Sequence, residues 1–210
     1  MATKTFSHFL LIYCIVLFNS TCIAQKIYAE YVTVYKAIQI NEHHSDTLTS
    51  SKAYNVKVPP FLYAYSYANQ KSYFSLIKGP GKTTATIITE NDPRPIKDVI
   101  DFPSKECIFK DLKKNAMYVT TTDSKGNHAQ QKTLNKYAWK ITKERQTILG
   151  YTCLKATCIY NEVNITAWFT KQIKVPDGPL KYHGLPGLIL KVTTGPYYET
   201  TATCVEVHKK

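Results

Sequence analysis

Tyrosine-rich segments with alternating side chains restrict the folds open to this chain more than any other feature. In the first, residues 26–40, tyrosine, valine, isoleucine and threonine recur along the whole segment. Such residues favour extended backbone, and glycine, proline, asparagine and aspartate mark the turns between segments. The same pattern predicts further strands at residues 61–67, 72–77, 83–89, 106–109 and 117–122.

The C-terminal half predicts a meander. Residues 136–142 and 147–160 are predicted strands, separated by a charged turn at residues 143–146, and residues 165–173, 188–194 and 197–207 follow. Short turns join antiparallel strands without helical crossovers. No segment keeps a 3.6-residue apolar period, although residues 95–102 suit a short helix. We therefore expect a mainly β fold: a curved antiparallel meander sheet, partly or wholly closed into a barrel, with at most short helices beyond the first 24 residues.

The first 24 residues have the pattern of a secretory signal peptide. Lys4 precedes an apolar run at residues 9–18, and small residues Cys22 and Ala24 place cleavage before Gln25. That run is too short to cross a bilayer, and no later segment approaches the length of a span. Modification of Cys22 as a lipoprotein is the weaker alternative. We expect export to the periplasm, the outer membrane or the exterior, and a single β domain over residues 25–210.

The positive charge of the chain comes almost entirely from lysine. Lysine and arginine number 27 against 15 acidic residues, but only Arg94 and Arg145 are arginines. Arginine is the fork-shaped residue that phosphate recognition favours. We therefore expect no nucleic-acid partner. The scattered lysines indicate a solvated surface, with peripheral contact to an anionic membrane or polysaccharide as the alternative.

Four cysteines remain after the leader: Cys107, Cys153, Cys158 and Cys204. An even number in an oxidising compartment predicts two disulfides. Cys153 and Cys158 are five residues apart in one predicted strand, so they should point to opposite faces. Each is then expected to pair with Cys107 or Cys204. A zinc site is the alternative, but the chain has no C-x-x-C pair.

The sequence offers little catalytic chemistry. His43 and His44 lie in a polar segment with nearby carboxylates, and such side chains hold zinc, copper or nickel. Adjacent histidines of an extended strand point in opposite directions, so a solvated turn is the better interpretation. No nucleophile-elbow or zinc-protease motif is present. We predict no catalytic residue and no cofactor.

Residues 176–187 are rich in proline and glycine and lead into a predicted strand. Leu185, Pro186, Gly187 and Leu188 suit a type II turn, in which glycine supplies a positive φ. The segment is predicted to seal the core as a structural plug, or alternatively to gate a ligand as a flap. The predicted ligand or flap residues are Trp139, Trp168, Tyr182, His183, Gly184, Leu185, Pro186 and Gly187.

Residues 184–189 spell GLPGLI, and Trp139, Tyr151, Trp168 and Pro176 precede them in a characteristic order. Over residues 136–191 the chain resembles the GLPGLI family, exported proteins found mainly in Bacteroidota. The resemblance implies an envelope protein and supplies no catalytic residues.

Three functions are consistent with these features. The first is a non-catalytic envelope protein that binds an apolar or amphipathic ligand, such as a lipid or peptide, or docks an envelope protein. The second is a structural or interaction domain without a cavity. The third is a metal-dependent hydrolase that uses His43, His44 or His183.

Overall fold

The computed structural model describes residues 25–43, 49–88 and 96–208. Fifteen strands, and no helix, lie within these residues. The strands of the N-terminal part are β1 (Lys26–Tyr35), β2 (Ala37–His43), β3 (Thr49–Lys57), β4 (Phe61–Ala68), β5 (Lys71–Lys78), β6 (Lys82–Ile88) and β7 (Ile96–Asp101). Those that follow are β8 (Lys105–Asp111), β9 (Ala116–Asp123), β10 (Gly126–Thr133), β11 (Lys140–Ile148), β12 (Tyr151–Tyr160), β13 (Val163–Thr170), β14 (Leu188–Thr194) and β15 (Tyr198–His208).

Eleven strands form one large sheet in the order β10-β9-β8-β5-β4-β1-β15-β14-β13-β12-β11. A smaller sheet has the order β2-β3-β6-β7. Their pairings are antiparallel, which confirms the predicted mainly β class. The large sheet has two edge strands, β10 and β11, so it is not a wholly closed barrel.

The core has two parts, because β12, β13 and β14 are buried on both faces. Leu188 and Leu190 face the larger part, which also contains the tyrosines of β1 and β4, and Ile189 and Val192 face the smaller part. A strand covered on both faces needs a nearly continuous apolar run. The sequence of β14, Leu-Ile-Leu-Lys-Val-Thr-Thr, begins with such a run.

Three local predictions are wrong. The charged residues 143–146 do not form a turn, because β11 continues through them with a register irregularity between Ile141 and Arg145. The turn lies instead at Leu149 and Gly150, whose φ values of 51° and 78° suit a tight hairpin. β11 is an edge strand of the large sheet, where charged side chains remain solvated.

The helix suggested for residues 95–102 is absent, since residues 96–101 form β7 and pair with β6. The single first strand predicted for residues 26–40 is also divided. It breaks at Lys36, and its two parts, β1 and β2, belong to different sheets. Alternation of side chains predicts extended backbone here, but it does not specify the sheet that a strand joins.

Candidate functional site

The segment at residues 176–187, called the plug below, connects β13 to β14 without being a strand itself. Leu185 in the plug is buried, as are Leu188 and Ile189 directly after it. The expectation that these three side chains point inward is therefore confirmed. Pro186 and Gly184 are exposed, so the motif presents its backbone to solvent and its leucines to the core.

Gly187 is required for a reason other than the predicted one. Its φ is not positive, and its amide donates to Leu185 O at 2.8 Å, so the predicted type II turn is wrong. A Cβ at this position would lie 2.0 Å from Thr170 O. The plug thus passes so close to the end of β13 that only glycine fits. The positive φ of the motif belongs to Gly184, at 89°.

A buried ion pair fixes the plug to the large sheet. Lys110 Nζ on β8 lies 2.6 Å from Asp177 Oδ1, and both side chains are 0% exposed. Lys110 also donates to Gly178 O at 2.8 Å and to Tyr182 O at 3.1 Å. The ammonium group therefore has one carboxylate oxygen and two carbonyl oxygens within 3.1 Å. Burial lowers the pKa of Lys110, while the Asp177 carboxylate opposes that change.

Two buried tyrosine hydroxyls complete this attachment. Tyr65 donates to Asp177 Oδ2 at 3.0 Å, and Tyr31 donates to Ile189 O at 2.8 Å. Burial raises the pKa of both phenols well above the usual value, and the Asp177 charge adds to the effect. The hydroxyls therefore stay protonated and remain donors. These buried contacts hold the plug against the core.

Three of the predicted ligand residues lie close together. Trp139 Nε1 donates to His183 O at 2.9 Å, and the ring of Tyr137 lies 5.3 Å from Trp139 and 5.5 Å from Tyr182. Burial lowers the pKa of His183, so its imidazole is neutral at neutral pH. Trp168 is not part of this group, because it packs against the larger part of the core.

A groove opens beside the plug, at the end of the sheet where β1, β12, β14 and their turns meet. We call it the tyrosine groove. Its volume is about 490 Å³, within the usual range for small-molecule sites. It is lined by Tyr35, Tyr160, Asn161, Val163, Ile165, Lys181, Tyr182, Thr194, Tyr197 and Tyr198. Of the predicted ligand residues, only Tyr182 lines it.

The floor of the tyrosine groove is held by hydroxyl contacts. Tyr182 Oη lies 2.6 Å from Thr194 Oγ1 and 3.2 Å from Tyr198 Oη. The rings of Tyr35 and Tyr198 are 5.4 Å apart. Lys181 Nζ lies 6.0 Å from the centre of the Tyr182 ring. The groove therefore combines apolar ring faces, fixed hydroxyls and one cation.

Sequence reasoning missed four of the five tyrosines of this groove: Tyr35, Tyr160, Tyr197 and Tyr198. Each stands at a strand end or in a turn: Tyr35, Tyr160 and Tyr197 are next to Lys36, Asn161 and Pro196, and Tyr198 begins β15. The sequence feature that could have indicated them is a tyrosine beside a turn residue, because a ring at the end of a strand can face the edge where several strands end. Nothing in the sequence showed that these separate ends would meet.

The four cysteines of the described residues are free thiols, which differs from the predicted two disulfides. Cys153 and Cys158 on β12 are separated from Cys204 on β15 by two strands of the large sheet, too far for a bond. Cys153 and Cys158 lie in different parts of the core, so the prediction that they face opposite sides is confirmed. Burial raises the pKa of each of these two thiols to about 11.

No group of three or more histidine, cysteine, aspartate or glutamate side chains suited to a metal occurs in the described residues. His43 ends β2 opposite Thr49, in a region whose side chains are not described, and His44 lies outside the described residues. The predicted metal site is therefore not tested.

Within the same described ranges, no helix has the length and apolar character needed to cross a membrane.

Two solved structures resemble this fold, both of PNGF-II. One, in space group C2, has a TM-score of 0.50 and 19% identity and covers 89% of this chain and 28% of that chain. The other, in space group P21, has a TM-score of 0.51 and 18% identity and covers 89% and 29%. The chain thus spans under a third of the PNGF-II chain. At this level of sequence identity, the likeness shows the fold alone, which is that of an all-β domain.

A family model described as "N-glycanase peptide, N-terminal domain" matches residues 80–210, more than half of the chain. The chain belongs to this family. The match includes β8, the plug and most of the tyrosine groove. No curated protein matches the chain.

Proposed function

We propose that this chain is an exported, non-catalytic binding domain whose tyrosine groove holds an amphipathic ligand or an amphipathic segment of a partner protein. One observation carries the proposal: five tyrosines from separate strand ends and turns line a single groove of about 490 Å³. Tyrosine rings are apolar over their faces and polar at their tips. A ligand with both kinds of surface would use both.

The groove is pre-organised for binding. Lys110 donates to the carbonyl of Tyr182, and the hydroxyl of Tyr182 contacts Thr194. The residue is therefore held at its backbone and at its tip before any ligand arrives. A site that does not have to be ordered on binding loses less conformational entropy.

Lys181 indicates the polar end of the ligand. Its side chain is only half-buried and lines the groove near Tyr182. A carboxylate, sulfonate or phosphate at one end of an apolar ligand would pair with this ammonium. The same geometry suits a fatty acid, a lipid headgroup or an acidic peptide.

Fluorescence titration with anilinonaphthalene sulfonate, an aromatic anion, tests the groove. We expect saturable binding to the wild type, with a lower affinity for Tyr197→Ala and for Lys181→Ala. Ile159→Ala is the matched control, because Ile159 is 70% exposed on β12 and does not line the groove. Equal binding by all four proteins would contradict the proposal.

The place of action that we propose is the cell envelope: the periplasm, the outer-membrane surface or the exterior. Its support is the leader pattern of residues 1–24 and the resemblance of residues 136–191 to the GLPGLI family. Expression of the full chain followed by fractionation and N-terminal sequencing tests it. The expected product is an exported protein that begins at Gln25, and an intact cytoplasmic chain would contradict export.

A structural or interaction domain without a ligand is the second candidate. The larger part of the core favours it, because Tyr31, Tyr63, Phe74 and Leu188 fill the space between the strands. The PNGF-II chain, which is several times longer, also shows this fold within a larger protein. The metal-dependent hydrolase stays a third candidate, and its test is retained metal after purification without chelators.

A further inference from the structure

A row of aromatic side chains crosses the outer face of the large sheet. Tyr28 on β1 pairs with Ser66 on β4, which pairs with Tyr73 on β5. Tyr73 pairs with Phe109 on β8, and Phe109 pairs with Tyr118 on β9. Residues directly opposite in an antiparallel sheet point to the same face. The five side chains therefore form one line across five strands.

Three of the four rings in this row lie against each other, and two of these three are exposed to solvent. The Tyr73 and Phe109 centroids are 4.7 Å apart, and those of Phe109 and Tyr118 are 5.8 Å apart. Tyr73 is 51% exposed and Tyr118 is 38% exposed. Nothing in the described part of the chain covers these two rings. A contiguous apolar surface of this kind commonly marks a binding site.

Ser66 creates a slot in the row, because its short side chain stands between Tyr28 and Tyr73. The slot has a volume of about 460 Å³. Lys26 and Lys71 also line it, and neither forms an ion pair with a residue that the structure describes. The slot therefore has aromatic walls, a hydroxyl floor and two lysines at its edge, and no carboxylate lines it.

The acidic groups nearby leave this positive charge in place. Glu206 pairs with Tyr28 from β15, but its carboxylate lies 3.5 Å from His208 Nε2. Glu30 accepts a hydrogen bond from the Tyr28 hydroxyl at 3.1 Å. Asp111 pairs with Lys71 across β5 and β8, but its carboxylate accepts a hydrogen bond from Lys114 N at 3.0 Å. None of these three carboxylates forms an ion pair with Lys26 or Lys71. The electrostatic complement of the slot is an anion.

We infer that this outer face binds an acidic oligosaccharide. The C–H face of each sugar ring would stack on the aromatic row, and carboxylate groups of the sugars would pair with Lys26 and Lys71. Linked sugar rings repeat at a spacing close to that of the rings in the row. Their hydroxyl groups stay solvated, which suits an open, half-exposed surface better than a dry protein contact would.

This site is distinct from the tyrosine groove and does not depend on it. Tyr28 and Tyr35 lie seven residues apart on β1, which is roughly 20 Å along a strand. The groove lies at one end of that strand, and the slot lies near the other. Either site can therefore fail its test without affecting the other.

Isothermal titration calorimetry with galacturonic-acid hexamers tests the inference, with the uncharged hexamer of glucose as a comparison. We expect the wild type to prefer the acidic hexamer. Tyr73→Ala and Tyr118→Ala should each weaken it about fivefold to tenfold, the usual range for losing one stacked ring. Lys71→Ala should remove the preference for the acidic sugar. Ile159→Ala and Lys140→Ala are exposed controls remote from the row and should bind as the wild type does.

Three results would overturn the inference. The first is a wild type that binds neither hexamer, and the second is Tyr73→Ala and Tyr118→Ala proteins with unchanged affinity. The third comes from analytical ultracentrifugation: a wild-type dimer that Tyr73→Ala converts to a monomer would assign the row to self-association. Circular dichroism of each variant confirms that its fold is intact, as expected for changes at exposed side chains.

Discussion

Lys110 Nζ lies 2.6 Å from Asp177 Oδ1 with both side chains fully buried, and this ion pair attaches the plug to β8. Its partners are 67 residues apart in the chain and meet only when the large sheet and the plug are both formed. The plug then supplies Tyr182 to the tyrosine groove. The ion pair thus connects the stability of the core to the proposed binding site.

Lys110→Met should destabilise the protein by about 3–5 kcal/mol, because it leaves the Asp177 carboxylate buried without its cation. The double variant Lys110→Met with Asp177→Leu should recover part of that loss, since no buried charge remains. Urea unfolding followed by circular dichroism measures both. If Lys110→Met lowers the free energy of unfolding by less than about 1 kcal/mol, the typical contribution of an exposed ion pair, the pair is not buried as described.

Gly187→Ala should be more harmful than Gly184→Ala, although the two glycines belong to one motif. At Gly187 the new Cβ would meet Thr170 O at 2.0 Å, so the plug or β13 must move. We expect a loss of about 3 kcal/mol or more there. At Gly184 only the positive φ opposes alanine, at about 1 kcal/mol. Thermal unfolding of the two variants gives the order, and the reverse order would contradict the close approach.

Thiol labelling should separate the cysteines into two classes. Cys107 and Cys204 are half-exposed, whereas Cys153 and Cys158 are buried with pKa values of about 11. Because the thiolate is the reactive form, iodoacetamide at neutral pH should modify the first two well before the second two. Mass spectrometry counts the labels on native protein that begins at Gln25, and the same protein when denatured should take four. Failure of the denatured, unreduced protein to react would indicate disulfides instead.

The buried tyrosines should make the protein sensitive to alkali. Burial raises the pKa of Tyr31, Tyr35, Tyr63, Tyr65, Tyr137 and Tyr182. Their contribution to stability is complete below pH about 10, where unfolded tyrosine is also protonated, and decreases above it. The lowered pKa of Lys110 acts in the opposite direction, but it is one group against six.

Spectrophotometric titration of tyrosinate measures this effect. The buried set should ionise only together with unfolding, as recorded by circular dichroism. Ionisation of every tyrosine in one step near the ordinary value, with the fold retained, would contradict the buried set.

The fold class was predictable because alternation and turn residues are local properties of the sequence. The inward position of Leu185 followed in the same way. The buried position of Lys110 was also predictable, since it stands two residues after Ile108 and therefore shares its buried face. Its partner Asp177 was not, because strand periodicity carries no information about a distant loop.

The tyrosine groove illustrates the same limit. Tyr35, Tyr160 and Tyr198 come from three strands that are far apart in sequence, and only the sheet order brings them to one rim. The prediction of a turn at the charged residues 143–146 was wrong for a different reason. An exposed edge strand and a turn favour the same polar residues, so composition alone cannot distinguish them.

Native mass spectrometry of the exported protein, purified without detergent, tests the central proposal most directly. We predict that the wild type carries an additional mass that denaturation releases, and that a Lys181→Ala and Tyr197→Ala double variant loses it while Ile159→Ala retains it. A wild type found only at its bare mass, or a double variant that keeps the same ligand, would contradict a ligand-binding tyrosine groove.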